Sequence, residues 1–465
     1  MLLNLTIQNW MSYYDEATLS LTASLERQHA RTLSKIPGFR SKKALPLAAI
    51  YGGNASGKTG VLNALRCIKK MILSPATVNK IVPVIPFFLN DNAFNEPTVL
   101  DITFLMNNNV YRLVIEATRK AVLYESLEII KENKTLDIYE RDTQKNTFEY
   151  NGDYFTESEH IEYVAASTRD NQVFFGNAVS QNVTELNEAY DWFNDVLELV
   201  GVESQAWTFA NCANGIEGFL QFAGRVLNHL DTGIVALKTE PTNLERLIAE
   251  ADLQHDIDEL KPDEVITLVG NRSMGDYGFE LAMIHLENGR PVAEALNAIH
   301  VDAGGNEHSI PLLLESSGTQ RLLGLLPMLF ELVNPSNDEI GQKVYVVDEL
   351  DRCFHTMLTS YLIEHFSDSC NADTRKQLLF TTHDLLLMDQ SLMRRDEMYV
   401  AQRRMDGCSE LIGLNEYKDI RFDKDLIKSY LEGRFGGIPM FSDSSDEVLD
   451  EVLSVEQSHA GVSAE

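Results

Sequence analysis

The stretch GGNASGKT, Gly52 to Thr59, carries the full spacing GxxxxGK[ST]. Glycines let such a loop wrap until several backbone N–H groups point inward at phosphate oxygens. Gly52, Asn54 and Gly57 would shape the cradle, Lys58 would reach the β- and γ-phosphates of ATP, and the Thr59 hydroxyl would sit on Mg²⁺. A second group is VYVVDE, Val344 to Glu349, where four apolar residues are followed by two carboxylates. Asp348 would hold Mg²⁺ and Glu349 would orient and deprotonate an attacking water. A third is the turn Ser316, Ser317 and Gly318 within ESSGTQRLL. Taken alone it is a helix cap; one helix before the carboxylate strand, it also suits an anion. The fourth is His383 in FTTHD, at the end of the next apolar run. A histidine there is either a satisfied polar residue or a hydrogen-bond partner of the γ-phosphate or the water.

These groups need a scaffold that brings strand ends together. The strand LPLAAIYG, Leu45 to Gly52, runs straight into the loop. Beyond it Val61, Leu65, Ile68 and Ile72 recur at helical spacing and predict an amphipathic helix, whose positive end aims at the same phosphates. Leu2 to Leu21 reads as a hairpin of edge strands. Alternation from Val82 to Tyr150 predicts antiparallel strands with polar turns. A helical block follows from Thr184 to Leu260, with Thr184 as its N-cap. Strands return at EVITLVG and FELAMIHL, then a Gly-containing turn from Val301 to His308, then a helix from Gln320 to Leu332 that Pro327 would kink. KVYVVDEL, MLTSYLIEHF and KQLLFTTHD give a strand, helix, strand rhythm, and ligands bind at the carboxyl ends of such strands.

The bulk composition narrows the classes. With 465 residues, 44% of them hydrophobic, the chain supports two or three packed units. The longest apolar run, near Leu322 to Val333, falls far short of the roughly 20 residues of a membrane span. The first residues read as a strand, not a signal peptide. Cys67, Cys212, Cys353, Cys370 and Cys408 form no CxxC pair, which suits reduced thiols in the cytoplasm. A net charge of −31 opposes sequence-independent binding to nucleic acid. One cationic stretch, Arg27, Arg31, Lys35, Arg40, Lys42 and Lys43, is either a solvated loop or a contact for nucleic acid or an acidic partner. The acidic end, from Phe441, reads as a mobile tail with a short docking helix around Val448 to Val455. Asp423 and Asp425 form a DxD that reads as a solvated turn more readily than as half of a two-metal site.

Phosphate loop, SSG turn, DE strand and strand-end histidine, in that order, resemble the layout of ABC-type ATPases, including the heads of SMC-like and double-strand-break-repair proteins. The wording ELDRCFHTMLTSYLIEHF, LLFTTHD, RRDEMYV and SYLEGRFGGIPMF is similar to the ATPase components of bacterial anti-phage and abortive-infection systems, such as RloA/AbiL-like proteins and the ATPase subunit of PARIS-type systems. The resemblance implies an α/β fold: an ABC-ATPase head with a mixed central sheet, an antiparallel β subdomain and an inserted helical subdomain. It divides the chain into an N-terminal lobe (1–183), a helical insert with return strands (184–300), a C-terminal ATPase lobe (301–440) and the acidic tail (441–465). It implies a head-to-tail homodimer or higher homo-oligomer in which Ser316, Ser317 and Gly318 cover the partner's ATP and Asp351 communicates across the interface. It further implies a separately encoded effector, a nuclease or Toprim-like protein, with a phage protein as trigger. The alternative is a repair-type ATPase acting directly on DNA. Two departures stand out: SSGTQ replaces the commoner SGGQ type, and the expected Q-loop glutamine is missing, with Asn90 or Asp91 of VIPFFLND in its approximate place.

Overall fold

In a computed structural model, the described residues are 1–74, 76–78, 80–200, 205–230, 232–262, 264–269, 281–333, 341–353, 355–417 and 426–436. The DxD at Asp423–Asp425 and the docking helix at 448–455 lie outside them.

The centre is a six-stranded sheet. Its strands are β1 (Leu47–Tyr51), β2 (Leu197–Val200), β3 (Gln342–Val347), β4 (Arg375–Thr382), β5 (Met398–Arg403) and β6 (Ser409–Gly413). The order is β2-β3-β4-β1-β5-β6, parallel throughout except that β6 runs antiparallel to β5. Parallel strands are covered on both faces, so they read as continuous apolar runs. All five residues of β1 are buried. Successive side chains leave on opposite faces. Ala48 and Ile50 join one core, while Leu47, Ala49 and Tyr51 join the other.

The first core lies against helix α1 (Lys58–Leu73), in which Val61, Leu65, Ile68 and Ile72 are all buried as the spacing predicts. It continues into a seven-stranded antiparallel sheet. Leu2–Gln8 is interior to that sheet, between Ala17–Ser20 and Thr98–Met106, so only the second half of the expected hairpin is an edge. The second core lies beneath α2 (Ser317–Val333) and α3 (Thr356–Ser369) and reaches a further sheet built from Ile234–Pro241, Ile266–Val269, Leu281–Glu287, Arg290–Val301 and Glu307–Pro311.

Two readings are corrected here and one strand is added. Thr184 caps no α-helix: it opens a 3-10 turn, and the helix from Asn187 passes through a π turn at Trp192–Val196 into strand β2. The block from Thr184 to Leu260 contains the strand Ile234–Pro241 between its helices Phe219–His229 and Leu244–Ala251. Arg290–Val301, to which the sequence assigned no element of its own, is a twelve-residue strand.

The cationic stretch packs at the opposite edge of the sheet from the phosphate loop. Lys35 N donates to Ala372 O (2.9 Å) and Ser34 Oγ to Thr374 O (2.7 Å), just before β4 begins. Arg31 pairs with Asp368 and Arg40 with Glu132. Residues 24–28 are tied to the start of β5 through fully buried Arg394. Its guanidinium donates to both carboxylate oxygens of Asp396 (2.8 and 2.7 Å) and to the carbonyls of Glu26 and Gln28. Glu397 beside it accepts from Arg394 N (2.8 Å), and burial pushes its carboxyl up to about 8. Among the described residues no helix is long and apolar enough to cross a membrane.

Candidate nucleotide site

Register decides what meets at the carboxyl edge. Val347 pairs with Phe380, so Asp348 comes level with Thr381, and Thr382 pairs with Tyr51, so His383 comes level with the start of the loop. Gly52 sits at φ +150° and Gly57 at φ +111°, a region that side chains avoid. A Cβ on Gly52 would lie 2.4 Å from Ala401 O, and one on Gly57 would lie 2.7 Å from Ser409 Oγ. Both glycines therefore serve conformation and close approach to the β5–β6 hairpin at once.

Lys58 is buried and its Nζ donates to Gly52 O and Gly53 O, both at 2.9 Å. Burial lowers its pKa, opposed by the nearby carboxylates of Glu349, Asp348 and Asp351. Thr59 Oγ1 donates to Asp348 Oδ2 at 3.0 Å. Thr381 Oγ1, wholly buried, donates to Asp348 Oδ1 (2.6 Å) and accepts from Glu349 N (2.7 Å). Glu349 itself is held at φ +50°, an uncommon conformation for a glutamate that directs the chain away at the strand end. Its carboxylate lies 3.8 Å from His383 Nε2 and 3.4 Å from Arg352 Nη1.

Asn54, Gly57, Lys58, Thr59, Glu349 and His383 line one cleft of about 470 Å³. Ser56 lines it too, with a buried Oγ that has no hydrogen-bond partner among the described residues. Such an orphaned hydroxyl beside a buried lysine and a helix start fits a phosphate. The Thr59 hydroxyl and the Asp348 carboxylate are hard oxygen donors within 3.0 Å of each other, which fits Mg²⁺.

Ser316, Ser317 and Gly318 do not line this cleft. Ser316 Oγ caps α2 by accepting from Thr319 N (3.1 Å), and the turn before it is held by His300 Nε2 against Glu315 Oε1 (2.7 Å). The helix nevertheless reaches the carboxylates, because buried Arg321 donates through Nη2 to Asp348 O (3.1 Å). Asp351 is not among the residues lining the cleft, and its Oδ2 accepts from His383 N (3.1 Å).

The chain also matches the family described as "AAA domain, putative AbiEii toxin, Type IV TA system" over residues 47–389. The chain belongs to this family. The match spans the phosphate loop, the SSG turn, the DE strand and the strand-end histidine, and membership in this AAA-domain family makes the chain a P-loop ATPase-type protein. A comparison with curated proteins returns no match.

The site of this AAA domain corrects one expectation and extends the residue set. Asn90 caps a 3-10 turn by accepting from Asn92 N (3.0 Å), and neither it nor Asp91 lines the cleft. Ile85, Phe87, Phe88 and Leu89 do so instead. The strand end that comes beside the carboxylates is that of β2, where Val200 pairs with Val347. Thr381 and Arg321 escaped the sequence reading. Thr381 stands inside FTTHD on a strand buried on both faces, so no alternation singles it out, and nothing local marks Arg321.

Proposed function

We propose that the chain is an ABC-type ATPase that binds and hydrolyses ATP, dimerises around it, and controls a partner effector in bacterial anti-phage defence. The observation that carries hydrolysis is the placing of Glu349 and His383 in one cleft with the loop Asn54–Thr59. Loop amides, Lys58 and Ser56 hold the phosphates. Thr59 and Asp348 would hold Mg²⁺, which when bound neutralises charge on the β- and γ-oxygens. Glu349 takes the proton of the attacking water with Arg352 Nη1 3.4 Å from its carboxylate, and His383, in the same cleft, bonds the γ-phosphate or the water. Thr381 fixes both acidic residues, one by side chain and one by backbone.

The regulatory part of the reading rests on the family description and the RloA/AbiL- and PARIS-like wording of the C-terminal half. In it the SSG turn of one protomer closes on the ATP of its partner, with Asp351 at that interface. A separately encoded nuclease or Toprim-like effector is released in response to a phage product, in the cytoplasm. Among the described residues the longest helix has 17 residues, which favours a protein partner over the long coiled arm of a DNA-end ATPase.

The test is ATP turnover and solution mass for wild type and Glu349→Gln, each with and without double-stranded DNA. The expected result is ATP-dependent assembly, turnover reduced at least ~100-fold in the variant, and no stimulation by DNA. Undiminished turnover by Glu349→Gln would remove the proposed base. Strong DNA stimulation would favour the repair-type reading.

A further inference from the structure

Glu349 and His383 follow β3 and β4 on one side of β1, and the β5–β6 hairpin lies on its other side, where Arg403 and Leu89 meet at Gly407; Met11, Ser12, Ile85 and Phe88 line the same cleft. Phe88 is 56% exposed and Leu89 61%, a large apolar surface left facing solvent. Contiguous exposed apolar surface at a cleft marks a ligand contact. The wall is built rather than loose. Met11 N donates to Ile85 O (2.7 Å), Phe87 N to Asn9 Oδ1 (3.0 Å), and Asn9 Nδ2 to Ala93 O (2.7 Å). On the other side Ser409 N donates to Ser12 O (2.7 Å), which fixes the β5–β6 hairpin, and Arg403 Nε donates to Gly407 O (3.2 Å) at its turn.

With the phosphates on Asn54–Thr59, this end receives the base. Stacking on apolar and aromatic groups is indifferent to which base is stacked. The polar side chains on this wall are Ser12 and Arg403. A hydroxyl donates or accepts, so Ser12 suits either purine. A guanidinium only donates. Guanine offers two acceptors on one edge, O6 and N7, whereas adenine pairs the N7 acceptor with an N6 donor. Among the described residues, no Asn, Gln, Asp or Glu side chain stands with them on this wall to demand the adenine pattern.

We infer that the base end is a purine clamp that does not require adenine: the chain takes GTP as readily as ATP, and Arg403 is the contact that favours guanine. The inference rests on the nucleotide reading above. Sites that select by a required hydrogen bond discriminate by about 10⁴–10⁵, whereas apolar contact gives about 10–200-fold at most.

The experiment is titration of the full chain with ATP and with GTP, each with Mg²⁺, for wild type and for Arg403→Ala. Arg403 is exposed, so its removal leaves the fold intact. The expected wild-type affinities lie within about tenfold of each other, and Arg403→Ala weakens GTP by about 5–50-fold while moving ATP by less than about threefold. A wild-type preference for ATP beyond about tenfold overturns the clamp. A variant that weakens both nucleotides alike, or neither, overturns the role of Arg403. Failure of both nucleotides to bind wild type is a different result, and sinks the nucleotide reading itself.

Discussion

At the scale of single residues, Thr381 carries more of the site than its type advertises. Its buried hydroxyl serves a partly buried amide and a partly buried carboxylate at once. Leaving a polar group without its partner costs about 1–3 kcal/mol at full burial and less at partial burial. Thr381→Val is therefore expected to lower turnover by about 10–100-fold with little change in nucleotide affinity, and Thr381→Ser to restore most of it; single-turnover kinetics on the two variants decide. A valine variant with wild-type turnover would reduce the hydroxyl to packing. The loop residues were legible because the spacing is contiguous and local. Thr381 and Arg321 were not, because their partners lie 33 and 27 positions away and only strand register and helix packing reveal them.

At the scale of elements, the buried cluster of Arg394, Asp396 and Glu397 joins residues 24–28 to β5. Burial raises the Glu397 carboxyl from 4.5 to about 8, with Asp396 and Glu26 adding and Arg394 opposing. Below pH 4.5 both folded and unfolded chains carry this proton. Between 4.5 and 8 the unfolded chain releases it and the folded chain keeps it, so stability falls as pH rises. Glu397→Gln removes that titration. Its unfolding free energy, measured in denaturant, is expected to gain on wild type by about 1–3 kcal/mol between pH 5 and pH 8. Equal pH slopes for the two proteins would show that Glu397 ionises normally. Elements with one dominant period were readable, as α1 shows. LELV was misread because Leu197 and Leu199 continue the pattern of the preceding helix, and only pairing with β3 makes it a strand. The wall at Ile85–Leu89 was unreadable for a different reason: it becomes a wall only where Met11 and the β5–β6 hairpin meet it.

At the scale of the whole molecule, the cleft and the SSG turn stand apart within one chain. In the dimer proposed above, Ser317 faces the partner's nucleotide. Ser317→Arg places bulk and charge there, so ATP-dependent assembly should disappear while binding to the single chain persists within about threefold. Light scattering with and without ATP, alongside a binding titration, checks both halves. A variant that still assembles would place the interface elsewhere. The cationic stretch is partly neutralised by Asp368 and Glu132.

The contact from Arg321 to the Asp348 carbonyl has a consequence for how two such molecules would keep time. The helix that begins at Ser317 and would touch one nucleotide is pinned, one turn later, to the carboxylate strand that serves the other. Any shift of that helix pulls on Asp348, the proposed Mg²⁺ ligand of its own chain. The rate should therefore rise with ATP concentration more steeply than a simple saturation curve, with a Hill coefficient above one, and Arg321→Ala should flatten it towards independent sites.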